Sequence, residues 1–197
     1  MNQNEPIGIL AVSASMHRSS VTRTVIESAA EQLKQRGCRV DLLDLSAEPL
    51  PLFNPDATYE SDYYQPLRQR VAGADVFILG TPDYHGTMSS ALKNFLDHFW
   101  REFSGKLFAS VVASHEKGLT VTDHIRTVAR QCYAWSMPYA VSFVDKEDVK
   151  DGEIVSAAFR SRLEMFVRDV RVYGEILSRQ RRADLAGTDP GFLARLR

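Results

Sequence analysis

Apolar and polar residues along this chain fall into blocks with two different periods. Ile7-Gly8-Ile9-Leu10-Ala11-Val12 is a short, nearly continuous apolar run, the pattern of a strand covered on both faces. Further strand-length runs are expected at Arg39 to Leu45, Asp75 to Leu79, Leu107 to Ala113 and Tyr139 to Val144. Gly80-Thr81-Pro82 is placed to end the third of them. Between the strands the period becomes helical. Thr22, Val25, Ile26, Ala29 and Leu33 share one face, and Gly37 is positioned to end that helix. A long connection opens at Glu48-Pro49-Leu50-Pro51 and runs to about Asp62, before a short helix from Tyr64 to Val71. The clearest helix carries Met88, Ala91, Leu92, Phe95, Leu96 and Phe99 on one side, and Gly105 closes the segment. Val121, Ile125, Val128 and Cys132 align in a helix from Leu119 to Tyr133. After a turn at Asp151-Gly152, a last helix spans Val155 to Leu177, with Phe159, Leu163, Phe166, Val167, Val170 and Tyr173 on one side.

Five strand-helix repeats predict an α/β fold: a doubly wound five-stranded parallel sheet with right-handed crossovers and helices on both faces. Residues 1–178 are expected to form this domain. The segment 179–197, with Arg181-Arg182 and Gly187-Thr188-Asp189-Pro190-Gly191, reads as a mobile tail or as an arm on a partner subunit.

Composition changes the picture little. The chain has 197 residues, 44% hydrophobic and 25% charged, ordinary values for one globular domain. A net charge of -1 argues against binding a nucleic-acid backbone, and weakly against a strongly acidic electron shuttle. Cys38 and Cys132 are far apart and lack metal-ligand spacing, so two reduced thiols fit the cytosol. The start, Met1-Asn2-Gln3-Asn4-Glu5-Pro6, lacks a basic leader region, and the apolar run after it is too short for a signal-peptide core. Nothing approaches the roughly 20 apolar residues of a membrane span. A soluble cytoplasmic protein is expected.

In such a sheet, ligands bind beyond the carboxyl ends of the strands, where strand order reverses. For the order 2-1-3-4-5 that point lies between the first and third strands. Two loops meet there. Ser13-Ala14-Ser15-Met16-His17-Arg18-Ser19-Ser20-Val21-Thr22 has four serines, no carboxylate and a helix N-terminus at its end. Free N–H groups and the helix dipole attract an anion there, and Arg18 and His17 add charge. The residues suit a monophosphate; a Ser or Thr before a helix also serves simply as a cap. Gly80-Thr81-Pro82-Asp83-Tyr84-His85-Gly86-Thr87-Met88-Ser89 combines backbone irregularity at Pro82 and Gly86 with a flat side chain, Tyr84. It reads either as a seat for a planar heterocycle or as a strand-to-helix turn capped by Thr87 or Ser89.

Other chemistries are excluded by their motifs. No G-x-G-x-x-G follows the first strand, and Gly105-Lys106 is followed by Leu107 rather than Ser or Thr. Ser13-Ala14 is not the acidic pair of a receiver domain, and no G-x-S-x-G elbow exists.

Taken together, the two loops resemble the NADPH-dependent FMN reductase family, whose fold is flavodoxin-like. The family's first signature reads roughly S-G-S-x-R-x-x-S-x-N, against Ser13 to Thr22 here. The second resembles T-P-E-Y-N-G-S-x-S-x-x-L-K-N-x-L-D, against Thr81-Pro82-Asp83-Tyr84-His85-Gly86-Thr87-Met88-Ser89-Ser90-Ala91-Leu92-Lys93-Asn94-Phe95-Leu96-Asp97. The similarity covers roughly Ile7 to Val144 and is more specific in the second loop than in the first.

The resemblance implies a noncovalent FMN reduced by NADPH or NADH, with electrons passed to free flavin, quinones, azo dyes or metal oxyanions. It puts Ser13, Ser15, His17, Arg18, Ser20, Val21 and Thr22 around the phosphate. It puts Pro82, Asp83, Tyr84, His85, Gly86 and Thr87 around the isoalloxazine, with main-chain N–H groups of 84–87 facing its pyrimidine edge. No catalytic nucleophile or metal is required. The helix from Met88 to Phe99 resembles the family's dimerisation helix, so a homodimer or homotetramer is expected, with Lys93 and Asn94 serving fold or interface. Three departures stand out: His17 where Arg is usual, Ala14 for Gly, and a short charged third loop, Ser114-His115-Glu116-Lys117-Gly118, in which Ser114 and His115 are candidates. Two other readings remain: a flavodoxin-type electron carrier, and a non-catalytic module that has lost FMN.

The remaining notable residues read as structural. Cys132, on the apolar face of its helix, packs in the core and Cys38 is an ordinary thiol; Trp100 and Trp135 belong to the core or an interface; Arg101, Lys106, Arg126 and Arg130 belong mainly to solvated faces, with the alternative that one of them meets the 2′-phosphate of NADPH. Phe53, Tyr59, Tyr63 and Tyr64 pack on the surface or line a neighbouring subunit's site.

Overall fold

The computed structural model describes residues 5–197; Met1 to Asn4, part of the stretch read above for a leader, lie outside the described residues. The central sheet is built from β1 (Gly8–Ser13), β2 (Arg39–Asp44), β3 (Val76–Tyr84) and β5 (Leu107–Ala113), paired in parallel in the order β2-β1-β3-β5. The expected fifth strand, Tyr139 to Val144, is present as β7 (Val141–Phe143), and a further short strand not foreseen in the sequence, β6 (Trp135–Ser136), lies ahead of it; they pair in parallel with the two halves of β5. Pro138 between them lacks the N–H that a continuous ladder needs. A short antiparallel strand, β4 (Thr87–Met88), folds back on the end of β3. A separate hairpin of β8 (Val149–Lys150) and β9 (Glu153–Ile154) precedes the last helix. The doubly wound architecture is therefore as expected, with seven strands in the main sheet in place of five.

Side chains alternate across the inner strands, and this makes two cores. Ile9 and Ala11 of β1, with Val76 and Ile78 of β3, face α1 (Val21–Gln35) and α5 (Ala157–Ala186), whose Val25, Ile26, Phe159 and Phe166 cover them. Leu10, Val12, Phe77 and Leu79 face the other way. There α2 (Tyr64–Gly73), α3 (Ser90–Asp97) and α4 (Leu119–Gln131) bring Leu67, Leu92, Phe95 and Ile125. Burying apolar surface at roughly 25 cal/mol per Å² on both faces is the main stabilising term. α1 ends as expected at Gly37, whose N–H donates to Lys34 O at 2.9 Å while Cys38 N–H donates to Leu33 O at 3.0 Å. Among the described residues no helix is long and apolar enough to cross a membrane.

Three expectations are corrected. Lys106 is not on a solvated face: it is 2% exposed, and its Nζ donates to Val71 O and Ala72 O, both at 2.9 Å. Of the two places expected for Trp100 and Trp135, the core falls away, since they are 58% and 50% exposed, and the interface is left. The helical signal does not stop at Leu177. The apolar stripe ends there, but Arg, Gln, Ala and Leu are good helix formers, so α5 continues to Ala186. The segment beyond it folds onto its own chain. Leu193 is buried against Gly105, Phe192 stacks on Tyr133 with centroids 6.4 Å apart, and Arg195 lies 3.9 Å over the Tyr133 ring.

Candidate cofactor site

The two loops singled out by the sequence meet at the carboxyl ends of β1 and β3. Ser13 is opposite Gly80 in the sheet, and Ala14 N–H donates to Gly80 O at 2.9 Å. Ser89 locks them together. Its N–H donates to Thr81 Oγ1 at 2.9 Å, its hydroxyl donates to Ala14 O at 2.7 Å, and it caps α3 by accepting from Leu92 N–H. Sequence reading offered Ser89 only as a cap. Its contact with Ala14 joins residues 75 apart and has no sequence signal.

The first loop closes on itself before entering α1. Ser20 is the N-cap, accepting from Arg23 N–H at 3.1 Å. By helix geometry the N–H groups of Val21 and Thr22 have no acceptor within α1. Ser15 Oγ accepts from His17 N–H at 3.4 Å and keeps its own proton to donate. His17 Nδ1 accepts from Ser19 N–H at 3.2 Å, so that nitrogen is turned into the loop. Arg18 is exposed and unobstructed, while its carbonyl receives Arg23. Arg23 is held by Asp44 at 2.6 Å, which also keeps that carboxylate occupied. The hydroxyl of Ser13 is fully buried and has no partner among the described residues. A buried hydroxyl, two open first-turn amides and no free carboxylate fit a doubly charged phosphate ester.

The second loop is a hairpin. β3 does not end at Pro82 but continues to Tyr84, with Pro82 opposite Ala113 of β5. β1 has already stopped at Ser13, so β3 is an edge on that side, where proline is tolerated. Tyr84 pairs with Thr87 across His85 (φ 58°) and Gly86 (φ 77°). Positive φ at both central residues is the type I′ geometry that matches strand twist. Tyr84 is 51% exposed and presents its ring at the tip.

Asp83, which the family resemblance puts beside the isoalloxazine, is the hub beneath this hairpin. Its Oδ1 accepts from Gly86 N–H and its Oδ2 from the Ser114 hydroxyl, both at 2.8 Å. The Gly86 amide is thus committed within the chain, and is not one of the free donors expected from 84–87. Ser114 also accepts from Glu116 N–H at 3.1 Å, ordering the third loop. That loop turns at Lys117 and Gly118, both left-handed, and a Cβ on Gly118 would lie 2.7 Å from Val112 Cγ1, so only glycine fits. His115 is exposed. Asn94 belongs to the fold: it accepts from Phe53 N–H and donates to Leu50 O and Pro51 O. Lys93 pairs with Asp97. Burial pushes the Cys132 thiol up to about 11, which leaves it unreactive at neutral pH.

A family profile described as NADPH-dependent FMN reductase matches residues 7–148, most of the chain and both loops. The chain belongs to that family. Among curated relatives, the FMN-dependent NADPH-azoreductase of Staphylococcus aureus is 25% identical, over 82% of this chain and 92% of that protein. Among solved structures, the flavoenzyme NAD(P)H:(acceptor) oxidoreductase FerB of Paracoccus denitrificans superposes with a TM-score of 0.71 at 18% identity, covering 86% of this chain and 97% of that one. The apo form of the NADH:FMN oxidoreductase EMOB gives 0.69 at 19% identity, covering 85% and 89%. These likenesses establish the flavodoxin-like fold.

Proposed function

We propose that this chain is an NAD(P)H-dependent oxidoreductase that works through noncovalently bound FMN and passes electrons to a small acceptor such as a quinone, an azo compound or free flavin. One observation carries the reading. The anion cradle at the start of α1, with its unpartnered Ser13 hydroxyl, is joined through Ser89 to a hairpin with an exposed aromatic tip, in a member of the FMN reductase family. Ser13, Ser15, Ser20, the Val21 and Thr22 amides and Arg18 would hold the phosphate, with His17 fixing the loop from inside. Pro82 to Thr87 and Ser114 would flank the ring. FMN supplies hydride acceptance and release when bound. The protein supplies orientation, oriented dipoles and a shaped, partly dry crevice. No side chain has to act as nucleophile.

The family resemblance also supports a cytoplasmic homodimer or homotetramer with α3 at the interface; the division into a cofactor-binding domain ending at 178 and an appendage 179–197 is our own, and the appendage begins inside α5 and packs back on the domain through Leu193. Steady-state kinetics with NADPH and a quinone or azo acceptor test the enzymatic reading. Parallel double-reciprocal lines are expected, since donor and acceptor would use one site in turn. NADPH consumption that requires a separate reductase would mark an electron carrier instead.

A further inference from the structure

His124, on α4, reaches out of its own helix to the hairpin. Its Nδ1 lies 2.8 Å from Thr87 Oγ1. The flanking threonines spend their hydroxyls inside α4: Thr122 donates to Gly118 O and Thr127 to Asp123 O. The His124–Thr87 contact forms part of the wall of a groove of about 660 Å³, which Tyr84, His85, Met88, Lys93 and Val128 also line. Thr87 closes the hairpin opposite Tyr84 and directly follows Gly86.

The hydrogen-bond inventory gives this contact its meaning. The pyrimidine edge of an isoalloxazine presents mainly acceptors, carbonyl oxygens and ring nitrogens, so its complement is a row of donors. The hairpin is short of them, because the Gly86 amide is taken by Asp83. A threonine hydroxyl has one proton and two lone pairs, and a neutral imidazole has one N–H. If Nδ1 accepted, the Thr87 proton would be spent on His124. If Nδ1 donates, the hydroxyl accepts from His124 and keeps its proton for the ring.

We propose that His124 is a positioning residue that donates from Nδ1 to Thr87 Oγ1 and so turns the Thr87 hydroxyl into a donor toward the flavin ring. The inference rests on FMN occupying the crevice. Asparagine carries an amide nitrogen where histidine carries Nδ1; leucine keeps bulk without a donor. The test measures the FMN dissociation constant by fluorescence quenching, and the visible absorption of the bound flavin, for His124→Leu, His124→Asn, Thr87→Val and the His124→Leu/Thr87→Val double variant.

His124→Leu should weaken FMN about five- to tenfold, the worth of one hydrogen bond, and shift the bound flavin's absorption. His124→Asn should restore both to near wild type. The double variant should bind no more weakly than Thr87→Val alone. The FMN-free variants should melt with the wild type, because the contact lies at an open groove. Wild-type affinity and spectrum in His124→Leu, additive losses in the double variant, no rescue by asparagine, or a loss of apoprotein stability that accounts for the weaker binding would each overturn the proposal. Wild-type protein that takes up no FMN is a separate result, which overturns the cofactor reading and this inference with it.

Discussion

At the amino ends of the strands Lys106 and Asp75 each find partners within the chain, whereas at the carboxyl ends Ser13 keeps a buried hydroxyl with no partner among the described residues. Asp75 accepts from Gly8 N–H at 2.9 Å and from Ser178 Oγ at 2.6 Å, and Arg181 donates to Ser104 O at 2.9 Å. Lys106 fills the carbonyl end of α2 and lies 5.6 Å from the Phe77 ring centroid. The C-terminal segment then covers this end with Leu193. At the other end the loops are tied to each other by Ser89 and Asp83, yet their outward donors stay open. Polar groups satisfied inside the chain stabilise the fold; polar groups held rigid but unsatisfied are what a ligand can use. One end of the sheet therefore carries stability and the other binding, and substitutions should separate the two.

The sharpest separation is expected from Leu193→Asp. Burying a carboxylate at this position should cost about 3 kcal/mol or more of stability, read by urea denaturation, and leave FMN affinity within about twofold. The mirror variant is Arg18→Glu, on the exposed rim of the first loop. Replacing a cation by an anion beside a phosphate should weaken FMN by about 30-fold, close to 2 kcal/mol, with apoprotein stability unchanged. A large loss of FMN in the first variant, or of stability in the second, would break the division.

Per unit of pH, a smaller effect comes from titration. Burial, and after it the nearby Arg181 charge, push the Lys106 ammonium down to about 7. In the unfolded chain the same group keeps its proton up to the ordinary lysine range, near 10.4. Between those values the unfolded state binds more protons, so stability should rise with pH across the window, by at most about 1.4 kcal/mol per pH unit. A neutral amine still has two N–H donors for its two carbonyls. Lys106→Met should flatten the slope in urea titrations from about pH 7 to about pH 9.5, and a slope that survives the substitution would place the titrating group elsewhere. The smallest effect is expected at the hairpin tip. Asparagine adopts positive φ more readily than histidine, so His85→Asn should raise stability by about 0.5 kcal/mol, seen as a slightly higher melting temperature.

The fold was legible because β1, β3 and β5 are covered on both faces and their helices carry clean apolar stripes. β7 falls inside the strand expected after Pro138, whereas the two-residue β6 ahead of it is too short to leave a periodic pattern. The hairpin leaves little mark in the linear pattern, because Pro82 has the look of a strand end and His85-Gly86 is an unusual form of the Asn-Gly turn signal. The burial of Lys106 is invisible in the sequence because its partners are the carbonyls of Val71 and Ala72, which leave no mark in residue identity. Asp83, Ser89 and His124 matter through contacts between distant segments, which a linear pattern does not report. The exposed Trp100 and Trp135 show the limit of equating aromatic with core.

The central claim is that the crevice between the first loop and the hairpin holds FMN where NADPH can reduce it. Titrating the apoprotein with FMN and then adding NADPH without oxygen tests it in one cuvette. Stoichiometric uptake followed by bleaching of the flavin colour is predicted; free flavin in the flow-through, or bound flavin that NADPH leaves yellow, would contradict it.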